Sequence, residues 1–323
     1  MTFSQHELRG LASHYVDDKR LPKVLRVRTD TTDFFRIDYD DILILDDHPY
    51  LIRNNEREGR FGIDEQPKFW VRRAIDLLDG STKIIKMVFK ERFQVHVGPI
   101  VFDCIRSPAK EARVIELVAH HDNFMHGFSV KDSSNNLVRV IDYIRGKNFA
   151  SFIESMDIGH RDYFTHEFPS IFRSYIELVQ AIRFLHDNKE KHGDIRRDHI
   201  IIDRDSGILR WIDFDFNYSH HENRFGYDIF GLGNILIFIT GKGDITIQSL
   251  MEDSLSRYSV ITGDDMNIIF HNRVVNLRKL FPYIPDELNR VLLHFSTGAQ
   301  SFYDDIHDLL DDLYRAEGAL EIV

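Results

Sequence analysis

Two short apolar runs accompany a dense set of polar residues in 191–216. Ile200-Ile201-Ile202 is β-branched throughout, residues 209–214 are mostly apolar, with Trp211, Ile212 and Phe214, and Asp205-Ser206-Gly207 lies between them. Short apolar runs around a glycine-containing turn predict a two-stranded hairpin. The charged residues of 191–199 and 213–215 then sit just before the first strand and at the end of the second. A rigid scaffold presents side chains well at such positions. Upstream, residues 42–45, 50–52, 69–71, 74–75 and 84–89 are apolar or alternating, with turns expected at 58–63 and 79–82. This pattern predicts a small antiparallel sheet. Residues 137–143 predict one further strand, broken at 144–147.

Helical periods follow. Ser107-Pro108 is a good start signal for a helix over 109–120, whose stripe is Val114, Leu117 and Val118. Residues 149–156 and 168–186 also have helical period, the second with Phe172, Tyr175, Ile176, Val179, Ile182 and Leu185 along one face. The C-terminal part, 244–323, reads as helical and acidic. Its stripes are Leu288, Val291, Leu292 and Phe295, then Ile306, Leu309, Leu310 and Leu313. Residues 1–35 read as an extension, with a short helix over 5–15 and strand-like pieces at 24–27 and 34–37, expected to pack on the first lobe. The domains expected are thus the extension 1–35, a sheet-rich lobe 36–143 and a helical lobe 144–323.

Composition narrows the function classes. The 323 residues are 43% hydrophobic and 29% charged, which is ordinary for globular domains. A net charge of -11 argues against nucleic acid or an anionic membrane as the main partner. The lone Cys104 excludes an intrachain disulfide. The N-terminus has no signal-peptide core, and the longest apolar run is far short of the roughly 20 residues that span a bilayer. A cytoplasmic protein with no membrane span is expected.

The polar stretch reads His192-Gly193-Asp194-Ile195-Arg196-Arg197-Asp198-His199, and the second element is Asp213-Phe214-Asp215. A run from Tyr227 through Asp228 to Gly233 follows. In this order and spacing they resemble the catalytic core of the protein-kinase-like superfamily. The resemblance implies an α+β, bilobal fold with a small antiparallel-sheet N-lobe and a mostly helical C-lobe. It implies ATP and a divalent cation, Mg²⁺ or Mn²⁺, as cofactors. Asp194 matches the family's catalytic aspartate and Arg196 the cation near the γ-phosphate. Asp213 matches the metal-binding aspartate. Lys86, in the strand-like Ile84-Ile85-Lys86, matches the phosphate-binding lysine, and Glu111 its ion-pair partner, with Glu116 as fallback. Gly59 and Gly62 look like the second half of the family's Gly-rich loop, with Arg57 where its first glycine stands. An adenine ring would bond the backbone at Asp142, Tyr143 and Ile144.

Three residues depart from the pattern. His199 replaces the family's metal-binding asparagine, and imidazole suits Mn²⁺ better than Mg²⁺. Gly193 replaces an arginine that pairs with a phosphorylated segment in many members. Asp215 replaces the glycine of Asp-Phe-Gly. Gly193, together with only thirteen residues from Asp215 to Asp228, implies no activation by loop phosphorylation. The His-Gly-Asp and Asp-Phe-Asp forms also resemble bacterial sugar and lipopolysaccharide-core kinases and aminoglycoside-type phosphotransferases. The expected function is γ-phosphate transfer to a hydroxyl on a protein Ser/Thr or a small molecule. The alternative is a pseudokinase binding module with impaired metal binding. A rival zinc site built from His120, His121, His126, His192, His199, His220 and His221 lacks cysteine or His-Glu-x-x-His spacing.

Overall fold

The apolar runs of the first part of the chain assemble one seven-stranded sheet. The structure is a computed structural model that describes residues 3–60, 63–97, 100–219, 223–253 and 259–320. Strand order in the sheet is β1-β2-β3-β4-β5-β9-β8. These are β1 Val27–Arg28, β2 Ile42–Leu45, β3 His48–Arg60, β4 Ile63–Asp76, β5 Thr82–Lys86, β8 Gly127–Lys131 and β9 Leu137–Asp142. The β1–β2 pair is parallel and the others are antiparallel. The fold class is α+β, as the sequence predicts.

β2 is apolar throughout because both of its faces are covered. Leu43 and Leu45 point into one core with Tyr50, Ile52, Ala74, Ile85, Met87, Val138 and Val140. Ile42, one residue out of phase, points to the other face with Leu51 and Leu77. There it meets Leu8 and Ala12 of α1 (Gln5–Ser13), together with Leu21 and Leu25. Ser4 and Glu7 close a capping box at the start of α1. The N-terminal extension therefore forms the outer layer of this sheet. The expected strand at 34–37 is instead a 3₁₀ turn over Phe34–Arg36. Its Phe34 side chain packs on the sheet's core, and its carbonyl accepts from Arg72 Nη2.

The chain divides into two units. The first comprises Met1–Glu91, Arg106–His120 and Met125–Ile144, and the second Arg92–Ile105, His121–Phe124 and Arg145–Val323. The second takes in a hairpin that the sequence reading did not include, β6 Arg92–Val97 and β7 Ile100–Arg106. In the second unit, α5 (Phe168–Asp187) buries the whole predicted stripe from Phe172 to Leu185. A second buried helix, α6 (Gly226–Gly241), is apolar on nearly every side, and its Leu232 carbonyl accepts from the Tyr175 hydroxyl of α5 at 2.9 Å. A small sheet joins β10 Gly146–Asn148, β11 Ile200–Asp203 and β12 Leu209–Trp211, all antiparallel. β11 and β12 are the predicted hairpin, and Gly207 takes the positive φ of its turn. β12 ends at Trp211, three residues short of the expected Phe214, because the Ile212 amide turns to the His199 carbonyl and Asp213 adopts φ +60°. A third sheet has the order β13-β7-β6, with β13 at Phe216–Ser219.

Candidate active site

The start of the loop from Lys191 to His199 hangs from one buried acid. Asp228, at the start of α6, is fully buried. Its Oδ2 accepts from the His192 amide at 2.8 Å and from His186 Nε2 at 3.1 Å, and its Oδ1 accepts from the Gly193 amide at 2.9 Å. Burial alone would raise its pKa. The His186 and backbone bonds and the neighbouring imidazoles outweigh that and hold the carboxyl below the usual carboxylate range. The sequence reading gave Asp228 no role. The available signal was an acid leading a run, 229–239, that is otherwise almost entirely apolar.

Gly193 has a steric reason to be glycine. Its φ is +86°, and a Cβ there would lie 1.8 Å from the Phe216 carbonyl oxygen. No side chain fits between the loop and β13. The same segment is held from its other side by β7, in the sheet β13-β7-β6. Phe93 packs edge-on against Phe216 at 5.1 Å, and Phe102 against Tyr218 at 5.6 Å. Lys191 Nζ donates to the Tyr218 carbonyl at 2.8 Å. The hairpin was legible in the alternation of Phe93, Val95 and Val97 before Gly98-Pro99.

Asp194, His199 and Asp213 come together. His199 is buried, and its Nδ1 donates to the Asp194 carbonyl at 2.9 Å. A carbonyl only accepts, so this bond assigns the proton to Nδ1 and leaves Nε2 without it. Nε2 lies 3.8 Å from Asp213 Oδ2, and Nδ1 lies 3.6 Å from Asp194 Oδ2. Asp213 keeps 21% side-chain exposure and Asp194 13%, against 4% for His199. The left-handed φ of Asp213 costs about 1–3 kcal/mol in a residue with a side chain, and such strain gathers at functional sites. His192 is structural: its Nδ1 accepts from the Asp194 amide at 3.3 Å, and its ring sits edge-on to Trp211 and Phe214. Arg196 forms a two-pronged pair with Asp198, through Nε at 2.9 Å and through Nη2. Asp198 is held in the loop, where its carbonyl accepts from Asn148 Nδ2 at 2.7 Å.

The first unit places Lys86 and Glu111 together. Lys86 Nζ donates to Glu111 Oε1 at 2.6 Å, and both residues are buried. Glu111 comes from α2 (Pro108–Leu117), capped by Ser107. Glu116 is exposed on the same helix, so Glu111 is the ion-pair partner. Arg139 of β9, which the sequence reading passed over, donates its Nε to Glu111 Oε2 at 2.9 Å. Its signal was a cation inside the apolar run 137–141. At the end of β9, the Asp142 carboxylate pairs with Lys83 at 2.6 Å. The Asp142 amide donates to the His126 carbonyl and the Tyr143 amide to the Thr82 carbonyl. Those two amides are engaged in backbone hydrogen bonds. Gly59 falls at a register shift of the β3–β4 pair, between Glu58 and Arg60. Gly62, His220 and His221 lie outside the described residues.

Among the described residues, no group of three or more His, Cys, Asp or Glu side chains is arranged to hold a metal ion. No helix of the described residues is long and apolar enough to cross a membrane.

Part of the chain is similar in sequence to known proteins. A Caenorhabditis elegans protein that carries the name ribosomal protein S6 kinase alpha-2 is 25% identical over 148 residues, covering 45% of this chain and 17% of the relative. The liver/testis isoform of the phosphorylase b kinase gamma catalytic chain from Rattus norvegicus is 29% identical over 150 residues, covering 46% of this chain and 34% of the relative. The Bos taurus counterpart is 27% identical over 149 residues, again 46% of this chain and 34% of the relative. The chain is similar to protein kinases. The kinase-like match spans at most about a third of these relatives' own length. A search of the solved structures finds the Mycobacterium tuberculosis PknI kinase domain at TM-score 0.48 and 11% identity, covering 83% of this chain and 96% of that domain. No family model matches the chain.

Proposed function

We propose that the chain is a phosphotransferase that moves the γ-phosphate of ATP to a hydroxyl acceptor. The observation that carries this reading is the convergence of Asp194, His199 and Asp213 on a loop anchored by Asp228. Asp194 is the base. As the acceptor oxygen forms its bond to the γ-phosphorus, the acceptor proton passes to an Asp194 carboxylate oxygen. The bond from the γ-phosphorus to the bridging oxygen breaks, and ADP leaves with its electron pair. Such transfer needs positioning and charge stabilisation more than covalent help from the protein.

A divalent cation would be held by Asp213 and by His199 Nε2, which faces it. One or two carboxylates completed by phosphate oxygens and water are what Mg²⁺ commonly uses, and the imidazole favours Mn²⁺. The ion, when bound, neutralises charge building on the phosphates. Lys86, oriented by Glu111, is the phosphate-binding cation of the first unit. Arg196 supports transfer by exchanging one prong of its Asp198 pair for a phosphate oxygen. The acceptor hydroxyl belongs to a protein Ser/Thr or a small molecule.

The pairing of Arg196 with Asp198 favours a second reading, a pseudokinase that binds nucleotide without turning it over. One experiment separates the two. Pure chain is incubated with ATP and either Mg²⁺ or Mn²⁺, and ADP and transferred phosphate are measured over panels of protein and small hydroxyl acceptors. Metal-dependent transfer that Asp194→Ala abolishes supports the phosphotransferase. Transfer that persists at wild-type rate in Asp194→Ala removes the assigned base. ATP binding without turnover on any acceptor supports the second reading.

A further inference from the structure

Glu111 carries two cations where an ion pair needs one. Lys86 and Arg139 are direct partners across the antiparallel β5–β9 pair. Directly opposed residues of such a pair project to the same face of the sheet, and like charges there repel. Both side chains are almost fully buried, so water screens that repulsion little. The Glu111 carboxylate lies between them, with Oε1 accepting from Lys86 at 2.6 Å and Oε2 from Arg139 at 2.9 Å. The guanidinium is itself fixed. Its Nη1 donates to the Leu137 carbonyl at 2.8 Å and its Nη2 to the Met87 carbonyl at 3.2 Å. Arg139 therefore approaches Glu111 from an anchored position on the sheet.

We infer that Arg139 is a positioning residue that clamps Glu111, and with it α2, in the place where Glu111 meets Lys86. α2 packs across β8 and β9 of the same unit. Its withdrawal would take the shared anion from two facing, buried cations, which costs far more than breaking an exposed pair. The Lys86–Glu111 pair is thus assembled in the resting protein and needs no separate activating event. The clamp stands on the geometry of the first unit. Its consequence for turnover rests on the proposed role of Lys86.

The test compares Arg139→Gln and Arg139→Lys with the wild-type full chain. Hydrogen exchange of the α2 amides is read without nucleotide, and the apparent KM for ATP is read separately from kcat. The clamp predicts that exchange in α2 rises about tenfold or more in Arg139→Gln, since local opening sets these rates. Arg139→Lys keeps the charge but not the fork and should fall between. Adding Glu111→Gln to Arg139→Gln should raise exchange further, because it also removes the bond from Lys86. Unchanged α2 exchange in a folded Arg139→Gln protein overturns the clamp. If Arg139→Gln fails to fold, the Arg139→Lys protein decides, and wild-type exchange in it overturns the clamp. An exchange rise with no change in the KM for ATP upholds the clamp and counts against Lys86 as a phosphate ligand.

Discussion

Replacing Gly193 with alanine isolates the contact between the loop and β13. A Cβ at this position meets the Phe216 carbonyl oxygen at 1.8 Å and its carbon at 2.7 Å. Ordinary contact begins near 3.4 Å, and the atoms in the way are backbone, which cannot swing aside as a side chain can. The left-handed φ adds about 1–2 kcal/mol for any residue with a Cβ. Relief of the clash must lengthen the 2.9 Å bond from the Gly193 amide to buried Asp228 or displace β13. Loss of one bond to a buried charge costs about 1.5–3 kcal/mol. The sum is about 2.5–5 kcal/mol. For a domain of about 150–250 residues each kcal/mol lowers Tm by about 2–4 °C, so a fall of roughly 5–20 °C is expected. Gly207→Ala is the internal control. Its φ is +74° but a Cβ there meets nothing within 4 Å, so only the conformational cost of about 1–2 kcal/mol applies. Thermal melts of the two variants and wild type, monitored by near-UV circular dichroism, measure the difference. Equal losses in Gly193→Ala and Gly207→Ala would show that the steric argument is wrong.

Three other outcomes follow from the same structure. Asp228→Asn removes a buried charge that accepts three hydrogen bonds, and denaturant titration should show a loss of about 2–4 kcal/mol with reduced protection of the loop amides. His199→Asn should raise activity with Mg²⁺ relative to Mn²⁺, and an unchanged ratio in steady-state assays would remove His199 from the metal site. His160 is held neutral: burial lowers its pKa to about 4, against a Thr240 carbonyl that its Nε2 bonds at 2.9 Å. Between about pH 6.5 and 4 the unfolded chain therefore binds the proton more readily, so stability should fall as pH drops through that window. Urea titrations at pH 7 and 5 should give a smaller difference for His160→Gln than for wild type, and an equal difference would refute the assignment.

The sequence determined the elements whose period is imposed by burial. The stripe of α5, the runs of β2, β5 and β9 and the 200–211 hairpin follow from where apolar side chains recur, because each must hide one face. The order of Lys86, Glu111, Asp194 and Asp213 along the chain was likewise legible, since the motifs are local in sequence. Tertiary structure decided what depends on approach between distant segments. It made Arg139 a second partner of Glu111, because strand register sets β9 beside β5. It turned Gly193 from a missing arginine into a required gap, because β13 passes within contact of it. It turned Phe34–Arg36 from a strand into a turn, because no neighbouring strand takes up its backbone. It also placed Nε2 of His199 toward Asp213, because the Asp194 carbonyl accepts the proton of Nδ1. A one-dimensional pattern records which side chains must be buried, whereas hydrogen-bond partners and steric gaps are properties of the packed pair.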